Sequence, residues 1–123
     1  MKSTVFGLLA PLAFAATLVG TGVQAQDLTI ATSVPSMGFP FFVHMQKELS
    51  SEAGSLGGIE VLAMDGQNST PKQTADVEAA IIRGVSGIVI SPIDAVAMAP
   101  ALKQAVDAGI PVVTIDRRVE GVP

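Results

Sequence analysis

The chain has 123 residues, enough for one small domain, and it contains no cysteine, which excludes disulfides and thiolate metal sites. Its formal net charge is −4, from 7 basic and 11 acidic residues. Phosphate contacts need clustered Lys and Arg, so nucleic acid is excluded as a partner. Apolar residues make up 49% of the chain, without Trp or Tyr, which predicts an interior built from aliphatic side chains.

The first 25 residues have the pattern of a secretory signal peptide. Lys2 supplies a positive start, residues 5–19 form an uncharged apolar run, and residues 23–25 (Val-Gln-Ala) suit a signal-peptidase site. The alternative is a retained membrane anchor, for which the apolar run is short. We therefore predict cleavage near Ala25, export to the periplasm, and a mature domain covering residues 26–123.

Four short aliphatic runs alternate with three helical patterns along the mature chain. The predicted strands are 28–34, 59–64, 87–90 and 110–115, and the predicted helices are 41–56, 71–83 and 95–108. The strands are apolar runs rather than alternating ones, which is typical of a parallel sheet covered on both faces. The predicted fold class is therefore α/β, a doubly wound parallel sheet.

Cap residues mark the ends of the second and third helices. Thr70 is predicted to cap the second helix, with Pro71 at its first position and Gln73 three residues after the cap. Asp94 is predicted to cap the third helix, and Gly109 to follow its end. The apolar positions expected on the second helix are Ala75, Val77, Ala80, Ile81 and Ile82.

Aromatic and charged residues follow the strands at their carboxyl ends, where parallel α/β sheets bind ligands. The loop after the first strand holds Phe39, Phe41 and Phe42, and the fourth strand is followed by Asp116 and Arg117. A sugar offers an apolar C–H face to an aromatic ring, and its hydroxyls bond to carboxylates and guanidinium groups. This edge therefore suits a sugar, with Phe41 and Phe42 for stacking and the Asp-Arg pair for hydroxyls.

Structural roles stay open for the same residues. Phe42 could be the first core residue of its helix, and Asp116 and Arg117 could be a solvated strand end. His44 falls on a polar helix face and is expected to be solvated. The residues expected to form a turn after the second strand are Asp65, Gln67 and Asn68.

The sequence lacks the signatures of common enzyme classes. The first strand is not followed by G-x-G-x-x-G, and there is neither a P-loop nor a G-x-S-x-G elbow. A single histidine and no cysteine leave no nucleophile–base pair, and no His–carboxylate cluster has metal-ligand spacing. We therefore expect a binding protein without cofactor or metal, and not an enzyme.

Five segments of the mature chain, in order, point to one family. They are Pro40-Phe41-Phe42-Val43, Asp65-x-Gln67-Asn68, Gly84-Val85-x-Gly87-Ile88, Ser91-Pro92 with Asp94, and residues 109–117, Gly-Ile-Pro-Val-Val-Thr-Ile-Asp-Arg. With them the chain resembles the periplasmic ribose/galactose-type sugar-binding proteins, which are the receptors of ABC importers. The resemblance covers nearly the whole mature chain.

The resemblance implies a function and a set of contacts. It implies the type I periplasmic binding fold, in which two α/β domains close on a monosaccharide and deliver it to an ABC permease in the inner membrane. It implies that Phe41 and Phe42 stack on the sugar and that Asp116 and Arg117 bond its hydroxyls. In addition, Ser33 and Ser91 match positions that often touch the ligand.

The chain also departs from the family pattern. Phe39 and Ser91 stand where Asn is frequent, and the loop before Phe41 is longer, so the sugar is left open and a receptor for a polyol or small polar signal stays an alternative. Family members are more than twice as long, which predicts a truncated N-terminal domain that alone binds sugar weakly or not at all. A cytoplasmic gene regulator of this fold is disfavoured by the signal peptide.

Overall fold

The computed structural model describes residues 27–122, and the predicted signal peptide lies outside them. Strands and helices alternate along this part of the chain. Their bounds are β1 Leu28–Val34, α1 Pro40–Leu56, β2 Ile59–Asp65, α2 Thr70–Arg83, β3 Gly87–Ile90, α3 Ala95–Asp107 and β4 Val112–Thr114. None of the helices within residues 27–122 combines the length and the apolar character needed to cross a membrane.

The strands form one parallel sheet in the order β2-β1-β3-β4. Thr32 and Ser33 are neighbours on β1, so their side chains point to opposite faces of the sheet. The Thr32 hydroxyl accepts a hydrogen bond from Gln46 of α1, whereas the Ser33 hydroxyl accepts one from Gln73 of α2. Helices therefore cover both faces, which confirms the predicted doubly wound α/β fold.

The main core lies between the sheet and the helix pair α2–α3. Its largest buried side chains are Ile88 and Ile90 of β3 and Met98 and Leu102 of α3, to which α2 adds Val77. Full burial of aliphatic side chains of this size is worth about 1.5–3 kcal/mol each. The apolar packing is thus concentrated between the two central strands, β1 and β3, and the helices α2 and α3. This packing holds the carboxyl ends of β1 and β3 in place.

Within residues 27–122, strands β1 and β3 are covered on both faces as predicted, whereas β2 and β4 lie at the edges of the sheet and are more exposed. Strand β2 has no fully buried residue, and Val113 of β4 is 55% exposed. Strand β4 is also shorter than the predicted 110–115. Val112–Thr114 lie opposite Ile88–Ile90 of β3, and the backbone hydrogen bonds of Pro111 and Ile115 to Ile88 and Ile90 flank this pairing on either side.

The predicted cap of the second helix is wrong by one residue. Helix α2 begins at Thr70, and the hydroxyl of Ser69 accepts from the Lys72 backbone N–H at 3.3 Å. Pro71 therefore takes the second helical position. Both Ser69 and Thr70 carry a hydroxyl, and the extended backbone at Ser69 decides between them.

Gln73, predicted to complete that cap, is instead fully buried in the face of α2 that meets the sheet. The buried residues of α2 are Gln73, Val77 and Ala80, at the spacing of one helical face. Ala75 and Ile82, both predicted as apolar positions, fall off that face and are exposed, Ile82 to 85%. A polar residue, Gln73, therefore occupies a buried position of α2 for which the apolar pattern gave no signal.

Candidate ligand-binding rim

The predicted site residues lie at the carboxyl ends of the strands, here called the rim. It consists of the loops that follow β1, β2, β3 and β4 together with the first residues of α1, residues 35–42, 66–69, 92–94 and 115–118. Neighbouring strands lie about 4.8 Å apart, so β1 and β4, which flank β3, end about 10 Å from each other. The loops after β1 and β4 therefore face one small region.

Three phenylalanines form an aromatic cluster at the start of α1. The Phe41 and Phe42 rings are 5.1 Å apart at 73°, and the Phe39 and Phe42 rings are 6.3 Å apart at 76°, both edge-to-face. Phe39 and Phe41 are 50% and 59% exposed, whereas Phe42 is half-buried. Phe42 thus anchors the cluster on the protein, and the other two rings present aromatic surface outside it.

Phe39 occupies the N-cap position of α1, where no side chain accepts a hydrogen bond from the helix. The backbone carbonyl of Phe39 accepts from the N–H groups of Phe42 and Val43 at 3.0 and 3.1 Å. Pro40, with no N–H, takes the first helical position. The helix therefore starts on backbone hydrogen bonds alone, without a side-chain cap.

Asp116 and Arg117 are held against the loop after β3. Asp116 has a left-handed backbone, with φ 66°, a conformation that non-glycine residues adopt uncommonly and aspartate more readily than most. Its Oδ2 accepts from the Ser91 hydroxyl at 3.3 Å. Nη1 of Arg117 donates to the carbonyls of Pro92, at 3.2 Å, and Ile93. Both side chains also remain exposed, Asp116 to 34% and Arg117 to 49%, so the pair is anchored on the loop and open to solvent at the same time.

Both predicted serines are buried behind the rim. The Ser33 hydroxyl accepts from Nε2 of Gln73 at 3.0 Å, and the Ser91 hydroxyl donates to Asp116. The structure thus brings Ser91 together with the charged pair, and it places Ser33 one hydrogen bond further back. Direct ligand contact by either serine stays a prediction.

Gln73 of α2 lies buried behind the rim, and the sequence predicted a helix cap for it rather than a place at the site. Besides Ser33, its Nε2 donates to the Ser91 carbonyl at 2.9 Å, and its Oε1 accepts from the Ile93 N–H at 2.8 Å. The signal that could have found it is the spacing of residues 73, 77 and 80. A glutamine on the buried face of a helix needs hydrogen-bond partners, because an unpaired buried amide is costly.

The turn after β2 ties two loops of the rim together. Oδ1 of Asp65 accepts from the N–H groups of Gln67 at 2.9 Å and of Met37, in the aromatic loop, at 3.1 Å. Gln67 and Asn68 both have left-handed backbones. The predicted turn role of Asp65, Gln67 and Asn68 is confirmed. His44 is exposed, as predicted.

Asp94 caps α3 as predicted, and the cap gives a pH dependence that can be measured. The pKa of Asp94 is lowered because its carboxylate accepts hydrogen bonds from the N–H groups of Ala97 and Val96. The folded pKa thus lies below the ordinary value of about 3.9. The cap stabilises the fold above that value, and its contribution is lost as the pH falls through the folded pKa.

We expect the melting temperature of Asp94→Asn to be close to that of the wild type at neutral pH and higher than that of the wild type in acid. Asparagine is as good a cap as aspartate and does not titrate. Thermal melting followed by far-UV circular dichroism, from about pH 7 down to about pH 3, measures the difference. The advantage of asparagine should appear below about pH 4. Melting temperatures that stay parallel over the whole range would contradict the role of the ionised cap.

The other candidate features of the described residues do not form a site. A shallow concavity of about 160 Å³ is lined by Ala95, Val96, Ala99 and Glu120, and by none of the predicted site residues. Ligand pockets usually measure about 300–1,000 Å³. Within residues 27–122, no cluster of three or more His, Asp or Glu side chains is placed to hold a metal ion.

Known proteins share the sequence pattern and the fold of this chain. Residues 30–122 match the family described as periplasmic binding protein domain. The chain is 42% identical over 95 residues to the ribose import binding protein of Bacillus subtilis, covering 77% of this chain and 31% of the relative. It is 37% identical over 111 residues to the Escherichia coli ribose import binding protein, covering 90% and 36%.

A solved structure gives the same result. The myo-inositol binding protein of Caulobacter, bound to myo-inositol, superposes with a TM-score of 0.73 at 33% identity, over 83% of this chain and 34% of that one. The chain thus spans about a third of the length of the relatives it matches. These relatives are named as binding proteins.

Proposed function

Because the chain belongs to the periplasmic binding protein domain family, we propose that it supplies the ligand-binding rim of a periplasmic receptor for a monosaccharide. The observation that carries the proposal is the pairing of exposed aromatic rings with a carboxylate–guanidinium pair on the same rim. Relatives named as ribose import binding proteins support the choice of a sugar.

In this proposal the aromatic cluster binds the apolar face of the sugar. Phe41 is the more exposed of the two predicted stacking rings, and Phe42 holds it from below by an edge-to-face contact. Stacking on an exposed ring buries apolar surface from both partners. Phe39 extends this aromatic surface, so the ligand meets more ring area than Phe41 and Phe42 alone would offer.

The charged pair binds the hydroxyl edge. Asp116 has two carboxylate oxygens, one of which already accepts from Ser91, and the carboxylate has further acceptor capacity for sugar hydroxyls. Arg117 has five N–H donors, of which those on Nη1 serve the carbonyls of Pro92 and Ile93. Ser33 and Ser91 support the site from behind it.

Export and delivery belong to the same proposal. Residues 1–25 act as a cleaved signal peptide, residues 26–123 form part of the N-terminal sugar-binding domain, and the receptor delivers its sugar to an ABC permease of the inner membrane. Chemistry is not part of this role: the rim binds and releases its ligand unchanged, and needs no cofactor.

A polyol is the second candidate ligand. The similarity to a protein bound to myo-inositol favours it, since a cyclic polyol has the same combination of C–H face and hydroxyl edge. A polyol and a sugar therefore differ at this rim in shape rather than in the kind of contact that they make.

The proposal is tested by titrating the ¹⁵N-labelled chain with pentoses, hexoses and myo-inositol at millimolar concentration. We expect amide shifts at residues 39–42 and 116–117 for at least one ligand, with no change at Asp107 on the far end of α3. Of the two outcomes predicted for a truncated domain, weak binding or none, the proposal takes weak binding, which NMR detects even where calorimetry does not. The proposal is wrong if a folded chain shows no shift at the rim with any of these ligands.

A further inference from the structure

Gln73 makes three hydrogen bonds at the carboxyl ends of two strands. It is fully buried in the first turns of α2. Its Nε2 donates to the Ser33 hydroxyl of β1 and to the Ser91 carbonyl directly after β3, and its Oε1 accepts from the Ile93 N–H. The side-chain amide therefore has a partner for each of its two polar atoms.

The segment that Gln73 holds is the one that holds the charged pair. Residues 91–93 bond to Gln73 from below, through the Ser91 carbonyl and the Ile93 N–H. On the side of the rim, the carbonyls of Pro92 and Ile93 accept hydrogen bonds from Nη1 of Arg117. The Ser91 hydroxyl donates to the carboxylate of Asp116. One short segment thus connects a buried amide to both charged side chains.

We infer that Gln73 is a positioning residue, which sets the placement of Arg117 and Asp116 without touching the ligand. This inference rests on the proposed function. Strand β3 ends at Ile90. The Ser91 N–H still bonds to the Ser33 carbonyl of β1 at 2.9 Å, and within residues 27–122 no strand pairing extends to Pro92 and Ile93. Without the Gln73 amide, the Ser91 carbonyl and the Ile93 N–H lose their partner inside the protein. The segment then shifts to find new partners, and the carbonyls that orient the guanidinium move with it.

A purely structural role would predict something different. In that case the loss of Gln73 would lower stability as any core substitution does, and the order of Arg117 would not change. Val77 gives the matched comparison, because it lies four residues further along the same buried face of α2 and belongs to the core cluster. Val77→Ala removes apolar packing and leaves residues 91–93 untouched.

The experiment compares Gln73→Met, Gln73→Glu and Val77→Ala in the 123-residue chain. The measurements are amide hydrogen exchange at Ile93, line shape and exchange of the Arg117 guanidinium N–H signals, and affinity for the ligand found by titration. With Gln73→Met, we expect loss of protection at Ile93, averaged Arg117 signals and affinity reduced by about tenfold or more. Gln73→Glu keeps the acceptor for the Ile93 N–H but, when ionised, has no donor for the Ser91 carbonyl, so it should keep part of the protection at Ile93 and restore the Arg117 order only in part. Val77→Ala should lower the melting temperature and leave Arg117 as in the wild type.

The inference is overturned if Gln73→Met lowers the melting temperature but leaves the Arg117 signals unchanged, or if Val77→Ala disturbs them equally. If Gln73→Met does not fold, Gln73→Asn is used, since it keeps the amide and is too short by one methylene to reach all three partners. The Arg117 signals are recorded without ligand. A wild-type chain that binds no sugar or polyol therefore contradicts the proposed function alone, and the placement of Arg117 still tests the inference.

Discussion

Asp116→Asn is expected to weaken ligand binding by about tenfold to a hundredfold while the fold stays intact. A hydrogen bond to a charged acceptor contributes about 1.5–3 kcal/mol, and the neutral amide has one acceptor oxygen where the carboxylate has two. Asparagine tolerates the left-handed backbone at this position, where φ is 66°. The amide oxygen can also still accept from Ser91. The change therefore removes charge and one acceptor, and little else.

Asp107→Asn is the matched control for this prediction. Asp107 lies on α3, exposed, and pairs with Lys103 four residues earlier at 2.7 Å. The change in net charge is the same, but the residue stands at the opposite end of the βα unit from the rim. NMR titration of both variants with the same ligand gives the two affinities. Equal affinity for the two variants would remove Asp116 from the binding site.

Asp116→Gly separates binding from backbone strain. Glycine adopts the left-handed conformation without the cost that a side chain meets there. We expect binding to be lost while the melting temperature stays close to that of the wild type, since the relieved strain offsets the lost bond to Ser91.

Gly66→Ala and Gly54→Ala are expected to change stability in opposite directions. A methyl group at Gly66 would lie 3.0 Å from the backbone carbonyl oxygens of Val34 and Pro35 and 3.1 Å from Cδ1 of Ile93. The backbone cannot yield easily there, because the Gly66 N–H already bonds to the Val34 carbonyl at 2.9 Å. Overpacking of this kind lowers the free energy of unfolding by about 1–3 kcal/mol.

Gly54 is the control, because it lies in α1 with nothing within 4 Å of an added methyl group. Alanine is the better helix former, so Gly54→Ala should raise the free energy of unfolding by about 0.5–1 kcal/mol. Urea unfolding followed by far-UV circular dichroism measures both, since the chain has no Trp or Tyr to report by fluorescence. A stabilising Gly66→Ala would mean that the loops after β1 and β2 do not approach each other as closely as described.

The strands and helices could be predicted from the sequence because their signals are local. The predicted strands 28–34 and 87–90 agree with β1 and β3, and the predicted helix 41–56 begins one residue after α1. Glycine, proline and capping residues mark element ends through backbone dihedrals and short-range hydrogen bonds. Asp94 is of this kind, since its partners lie two and three residues away.

The length and exposure of the edge strand β4 and the burial of Gln73 could not be predicted from such local signals. Strand β4 is three residues long because of its register with β3, and Val113 is exposed because β4 lies at the edge of the sheet. Gln73 forms hydrogen bonds with Ser33, Ser91 and Ile93, which lie 40, 18 and 20 positions away from it in the chain. A hydrophobicity pattern ranks a glutamine as surface, and only its three partners make its burial favourable.

The sequence by itself determined the α/β class, the order of the elements and the gathering of Phe41, Phe42, Asp116 and Arg117 at one rim, because parallel strands bring their carboxyl ends to the same edge. The tertiary structure alone decided that Ser33 and Ser91 lie behind that rim, that the charged pair is anchored on residues 91–93, and that a buried glutamine of α2 holds that segment. The physical reason is range: backbone preferences act between neighbours in the chain, whereas the partner of a buried polar group is chosen only when distant strands and helices meet.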